Sequence, residues 1–165
     1  MKTLFTFGVT TFDRHKMLIE CLQSIKAQWF TNFKVIVGND CVGDELTISK
    51  LGINDARFSI VNHKKNLGEV NNLNWLLKQA NSEYFIWLAD DDYIHPEFLS
   101  RIYYALSMRY ADPPVAIYTG YHSGEESPEF HEIADKLSVG RDYTLRKFLD
   151  VYLSKDIELI GCYGA

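Results

Sequence analysis

Cysteine is scarce in this chain. Cys21, Cys41 and Cys162 are widely spaced, odd in number and form no CxxC, so neither a disulfide framework nor a cysteine zinc site is indicated. A reducing compartment fits that usage best. Basic runs are equally thin. No stretch of Lys and Arg exceeds two residues and the formal charge is -5, which argues against a nucleic-acid surface. Long apolar runs are missing too, so nothing reads as a membrane span. Met1-Lys2 passes straight into LFTFGVTTF without the small-residue cleavage site of a signal peptide. The expectation is a cytoplasmic domain, at most at the inner face of a membrane and then through segments outside this sequence. Low-complexity tracts and repeats are also missing.

What is present suffices for one core. The chain has 165 residues, 47% of them hydrophobic and 24% charged, which fits a single folded domain and disfavours disorder. Apolar runs and helical periodicities alternate. Leu4 to Val9 reads as a strand, and Met17, Leu18, Cys21, Leu22 and Ile25 mark a helix ending near Trp29. Thr11 or Asp13 is placed to cap that helix. Lys34 to Gly38 is a second strand, followed by a short helix around Leu46 to Leu51. Phe58 to Val61 is a third strand, and Val70 to Ala80 a further helix. Tyr84 to Asp90 reads as a central strand covered on both faces. A helix after Pro96 carries Phe98, Leu99, Ile102, Tyr103 and Leu106, and Val115 to Tyr118 makes another strand. Leu145 to Leu153 is helical, and Glu158 to Ala165 looks like an entering strand. This alternation predicts an α/β fold with right-handed crossovers and a mainly parallel central sheet flanked by helices.

In such a sheet the strand ends share one edge, where open α/β sheets bind ligands. The strands bring Thr10, Thr11, Asp13, Asn39, Asp40, Asn66 and the run Asp90-Asp91-Asp92 there. Adjacent carboxylates repel, and a hard divalent cation is the simplest partner for them. Taken alone, the three aspartates also fit a solvated turn before a helix that begins at Pro96-Glu97, and Asn39-Asp40 fits an ordinary turn.

The order and spacing of these landmarks resemble the nucleotide-sugar-binding part of family 2 glycosyltransferases with the Rossmann-like GT-A fold. The landmarks are Thr10-Thr11-Phe12-Asp13-Arg14, the acidic end of the second strand, Asn66-x-Gly68 leading to Asn74, and Leu88-Ala89-Asp90-Asp91-Asp92 followed by Pro96. The resemblance implies a transferase that binds a nucleotide-diphosphate sugar, first a UDP-sugar, through Mn2+ or Mg2+. It implies transfer with inversion to a hydroxyl of a glycan, a lipid-linked sugar or a protein. Asp91 falls on the metal-binding position, with Asp90 near the donor ribose or sharing the metal. Thr10 and Phe12 would contact the base, and Asn39, with Asp40 beside it, falls where relatives read uracil. A diphosphate-side cation would come from Lys64, Lys65 or Arg14.

The resemblance divides a single domain, 1–165, into a donor-binding core at 1–120, a polar loop or lid at 121–143, and the start of an acceptor-side region at 144–165. The general base, a downstream acidic pair in this family, is expected beyond Ala165. Two other readings stand beside this one. The first is a truncated, non-catalytic nucleotide-binding module. The second is a receiver-like Mg-binding domain, although that architecture wants its acidic pair where this chain has Thr10-Thr11.

Overall fold

The computed structural model describes residues 2–109. The strand expected at Val115 to Tyr118, the polar stretch 121–143, the helix at Leu145 to Leu153 and the strand at Glu158 to Ala165 lie outside the described residues. Within them the chain runs β1 (Phe5–Thr11), α1 (His15–Lys26), β2 (Phe33–Asn39), β3 (Phe58–Asn62), α2 (Glu69–Gln79), β4 (Tyr84–Ala89) and α3 (Phe98–Arg109). The strands form one parallel sheet in the order β3-β2-β1-β4. This is the α/β architecture expected from the alternating pattern.

The two faces of the sheet are packed differently along β1 and β2. Odd-numbered residues of β1 and β2, Phe5, Phe7, Val9, Phe33, Val35 and Val37, are buried and pack with Leu18, Cys21, Leu22 and Ile25 of α1 and with Leu99 of α3. Full burial of each such aromatic or aliphatic side chain contributes about 1.5–3 kcal/mol before chain entropy is set against it. The other face carries Thr6, Gly8, Thr10 and Gly38, small enough for α2 to approach the backbone. A Cβ on Gly8 would sit 2.3 Å from the Phe85 ring, and one on Gly38 would sit 2.1 Å from Asn72 Oδ1.

Among the described residues β4 pairs with β1 alone and Trp87 is 48% exposed; its expected central place turns on the strand expected at Val115 to Tyr118, outside the described residues. The strand paired on both sides next to it is β1. An apolar run tells that a strand is partly buried, but neighbours are set by pairing, which is non-local. Two local expectations are corrected. The helix expected around Leu46 to Leu51 is a set of turns in the β2–β3 connection. Leu51 N–H bonds to Thr47 O at 3.3 Å, and Gly52, at φ 68°, then turns the chain out of helical geometry. A single turn carries the nucleation cost without the gain of propagation. Burial of Leu46, Leu51 and Ile53 holds the segment instead. Finally, α1 stops at Lys26 rather than Trp29, and its N-cap, Arg14, makes no side-chain cap bond.

Candidate functional site

The strand order decides where a cleft can form. The chain leaves β1 toward β2 and β3 on one side, then crosses through α2 to β4 on the other side of β1. The carboxyl ends of β1 and β4 therefore flank the point where the direction of winding reverses, which is where ligands enter open α/β sheets. The register pairs Thr10 with Ala89, so the next residues, Thr11 and Asp90, meet just past the ladder. Thr11 Oγ1 donates to Asp90 Oδ2 at 2.6 Å, and both side chains are buried.

Arg14 completes the cluster from the start of α1. Its Nε donates to Asp90 Oδ2 at 3.3 Å, and its Nη1 to Asp91 Oδ2 at 2.8 Å. Asp90 Oδ1 accepts no hydrogen bond and faces Arg14 Nη2 as an ion pair. The Asp90 side chain is 0% exposed, whereas those of Asp91 and Arg14 are 44% and 46% exposed. Burial pushes the Asp90 carboxyl above the usual aspartate range, against the pull of the Thr11 hydroxyl and the Arg14 charge. Asp92 is raised as well, by burial first and then by repulsion from Asp91 and Asp90. Negative charge at this strand end is thus under strain, and a positive group relieves it.

α1 carries the support for the segment that follows. Cys21 and Ser24 on the helix, and Gln28 just past its end, face the β4–α3 connection. Cys21 Sγ contacts Ala89 O at 3.5 Å, Ser24 Oγ accepts from Ile94 N–H at 3.1 Å, and Gln28 bridges His95 O at 2.6 Å and Leu99 N–H at 3.0 Å. The Cys21 thiol is pushed far up, by burial and then by the charges of Asp90, Asp92 and Asp91, so it acts as packing and not as a nucleophile.

The β2 end shares the same edge but is organised differently. Asp40 N–H donates to Thr11 O at 3.0 Å, which ties the two strand ends together. The Asp40 carboxylate accepts from Leu67 N–H at 2.7 Å and Gly68 N–H at 2.8 Å, fastening the turn that opens α2. Gly68, at φ 76°, supplies a conformation that an L side chain resists. Asn39 is fully buried. Its Nδ2 donates to Asp44 O at 2.6 Å and Asn62 Oδ1 at 2.9 Å, and its Oδ1 accepts from Cys41 N–H at 3.1 Å.

Of the residues singled out from the sequence, Asp90 and Asp91 are brought together directly. Thr10 is half-buried at the end of β1, and Phe12 is exposed on the loop beyond it. Asn39 and Asp40 lie at the same edge with their polar atoms engaged by protein groups. Lys64 and Lys65 are exposed, while Arg14 takes the cationic position beside the aspartates. Thr11, expected as a helix cap, serves the acid cluster instead. Its strand parity was the available signal: a Thr on the face of Phe5, Phe7 and Val9 must find a polar partner. Asn74 is exposed, and the asparagine that matters is Asn72, whose Nδ2 donates to Gly38 O at 2.8 Å and whose Oδ1 meets His63 Nε2 at 3.0 Å.

Among the described residues no three His, Cys, Asp or Glu side chains converge into a cage for a metal ion. Mg2+ and Mn2+ at nucleotide sites need less from the protein, one or two carboxylates completed by phosphate oxygens. A half-exposed Asp91 beside a buried Asp90 fits that limited donor set, and the Arg14 guanidinium marks a position where positive charge is already accommodated.

Comparison with known proteins bears on the family and the fold. The family model for glycosyl transferase family 2 matches residues 6–153. An uncharacterized glycosyltransferase of Haemophilus influenzae is 33% identical over 97 residues, covering 57% of this chain and 30% of the relative. The poly(ribitol-phosphate) beta-N-acetylglucosaminyltransferase TarS of Staphylococcus aureus is 33% identical over 99 residues, 58% of this chain and 17% of TarS. The crystal structure of TarS 1-349 in complex with UDP-GlcNAc is similar at a TM-score of 0.58 with 30% identity, covering 63% of this chain and 31% of that one. The chain spans only 17% to 30% of the length of these curated relatives. With a match over most of its length, a parallel α/β sheet of the same fold and an acidic cluster at the switch point, the chain belongs to glycosyl transferase family 2.

Proposed function

We propose that this domain binds a nucleotide-diphosphate sugar at the carboxyl ends of β1 and β4 and, within its whole protein, transfers the sugar to a hydroxyl acceptor with inversion. The observation that carries the reading is the meeting of Asp90, Asp91 and Arg14 at the topological switch point. A UDP-sugar is the first candidate donor, because a structurally similar relative is described with UDP-GlcNAc and with UDP.

Asp91, exposed and at the mouth of the cleft, would hold Mn2+ or Mg2+, with Asp90 as its buried neighbour. Such a cation, once bound, supplies Lewis-acid stabilisation of the charge that develops on the departing diphosphate. The chain's own residues prepare that site. Thr11 and Arg14 hold Asp90 in place, and Ser24 and Gln28 hold the segment after Asp92. Thr10 and Phe12 border the space for the base. With Asn39 and Asp40 occupied by their own loops, they act on the base by fixing the shape of its pocket. The acceptor proton would go to a carboxylate outside the described residues. No helix among the described residues is long and apolar enough to cross a membrane, and a cytoplasmic site of action is part of the proposal.

The test is calorimetric titration of UDP, GDP and dTDP with and without Mn2+. Metal-dependent binding of one nucleotide is expected. A folded protein that binds none of them would remove the donor-site reading.

A further inference from the structure

Arg14 sits in the acid cluster with its fork divided between two carboxylates of unlike environment. Nε and Nη2 face Asp90, which is buried and also held by the Thr11 hydroxyl. Nη1 faces Asp91, which is 44% exposed. The inner contacts are shielded and geometrically restrained, whereas the outer contact is open to water and to competing ions. The Arg14 side chain, 46% exposed, has room on its outer side. Its backbone is set by a tight loop: Asp13 adopts φ 54°, and Arg14 is the N-cap of α1 without a side-chain cap of its own.

A divalent cation on Asp91 and a guanidinium on the same carboxylate repel each other. One of them must leave that oxygen. A diphosphate brings negative charge that both can share, and a guanidinium fork suits phosphate oxygens as well as carboxylate oxygens. We propose that Arg14 is an exchangeable counter-ion. In the free protein its outer arm neutralises Asp91, and on donor binding that arm passes to the diphosphate while Nε and Nη2 stay on Asp90. Arg14 then opposes the cation alone and favours the cation with a nucleoside diphosphate, so the two ligands bind cooperatively through one side chain. The inference rests on the donor-site reading above and goes beyond it by assigning Arg14 opposite effects on the two ligands.

The opposite signs are what a merely structural residue would not produce. Binding of Mn2+ alone, followed by the spin resonance of the free ion, and binding of the preferred nucleoside diphosphate in Mn2+, followed by calorimetry, are compared in wild type, Arg14→Gln and Arg14→Lys. In Arg14→Gln, Mn2+ alone is expected to bind about threefold tighter or more, and nucleotide with Mn2+ about tenfold weaker. Arg14→Lys, which keeps the charge without the fork, is expected to lie between for both ligands. If Arg14→Gln does not fold, Arg14→Lys carries the test with the same signs. Parallel weakening of both ligands, or no change in either, overturns the exchange. Wild-type protein that binds no nucleotide in Mn2+ instead overturns the donor-site reading itself, so the two failures are distinguishable.

Discussion

The ends of β2 and β4 present the same kind of residue to the same sheet edge and use it in opposite ways. At the β2 end, the Asp40 carboxylate is closed by the backbone N–H groups of Leu67 and Gly68, and Asn39 is closed by Asp44, Asn62 and Cys41. At the β4 end, Asp90 and Asp91 are balanced by one half-exposed side chain, Arg14. Backbone amides cannot leave without unfolding a turn, whereas a side-chain cation can swing away. An acidic residue at a strand end is therefore architecture in the first case and an exchangeable site in the second, and the partner tells which.

That contrast can be broken most severely at Asp40. Asp40→Ala leaves the Leu67 and Gly68 amides without their charged acceptor, and a loss of about 3 kcal/mol of unfolding free energy is expected in urea melts. Retention of wild-type stability would show that this carboxylate is not architectural. Gly38→Ala attacks the same strand end through packing. The new Cβ would meet Asn72 Oδ1 at 2.1 Å, and displacing Asn72 from Gly38 O is expected to cost about 2 kcal/mol. Thermal unfolding measures it, and an unchanged midpoint would mean that α2 moves aside freely.

Asp91→Ala probes the other end. Stability is expected to stay within about 0.5 kcal/mol of wild type, because the carboxylate is exposed and lightly held. Metal-dependent nucleotide binding is expected to fall about tenfold or more. A variant that melts early and still binds nucleotide would reverse the assignment of the two ends.

The smallest effect sharpens the comparison with a pair remote from both strand ends. The Asp55 carboxylate is held below the usual aspartate range by the Arg57 side chain, first among its causes, and Arg57 also stacks over the Phe33 ring at 4.1 Å. Because the folded value lies below the unfolded one, the pair's stabilisation is complete above the unfolded pKa and fades as pH falls through the folded pKa. Asp55→Asn is expected to cost about 1 kcal/mol near pH 7, with the gap to wild type closing below about pH 4. A gap that persists at low pH would point to packing and not to charge.

How much of this was legible beforehand follows the range of the interactions. The seven described helices and strands follow local periodicity, and their positions were readable within a few residues, apart from the turns at Leu46 to Leu51. The acid cluster was readable because three adjacent aspartates after an apolar run are conspicuous. The partners were not. Thr11 and Asp90 are 79 residues apart, Arg14 and Asp91 are 77 apart, and Asp40 reaches Leu67 across 27, so no window of sequence contains any of these pairs. Asn72 was overlooked for Asn74 for the same reason. Only the approach of α2 to Gly38 shows which asparagine faces the sheet.

By itself, the sequence determined an α/β chain with a parallel sheet and polar strand ends gathered on one edge. Period-two and period-3.6 apolar patterns specify element type and buried face without reference to anything distant. The tertiary structure alone decided that β1 pairs with both β2 and β4 and so stands beside the switch point. It alone decided that Asp40 is a fastener and that Arg14 neutralises Asp90 and Asp91. Those outcomes depend on which strands pair and in what register, and pairing is a choice among distant segments that only the folded chain makes.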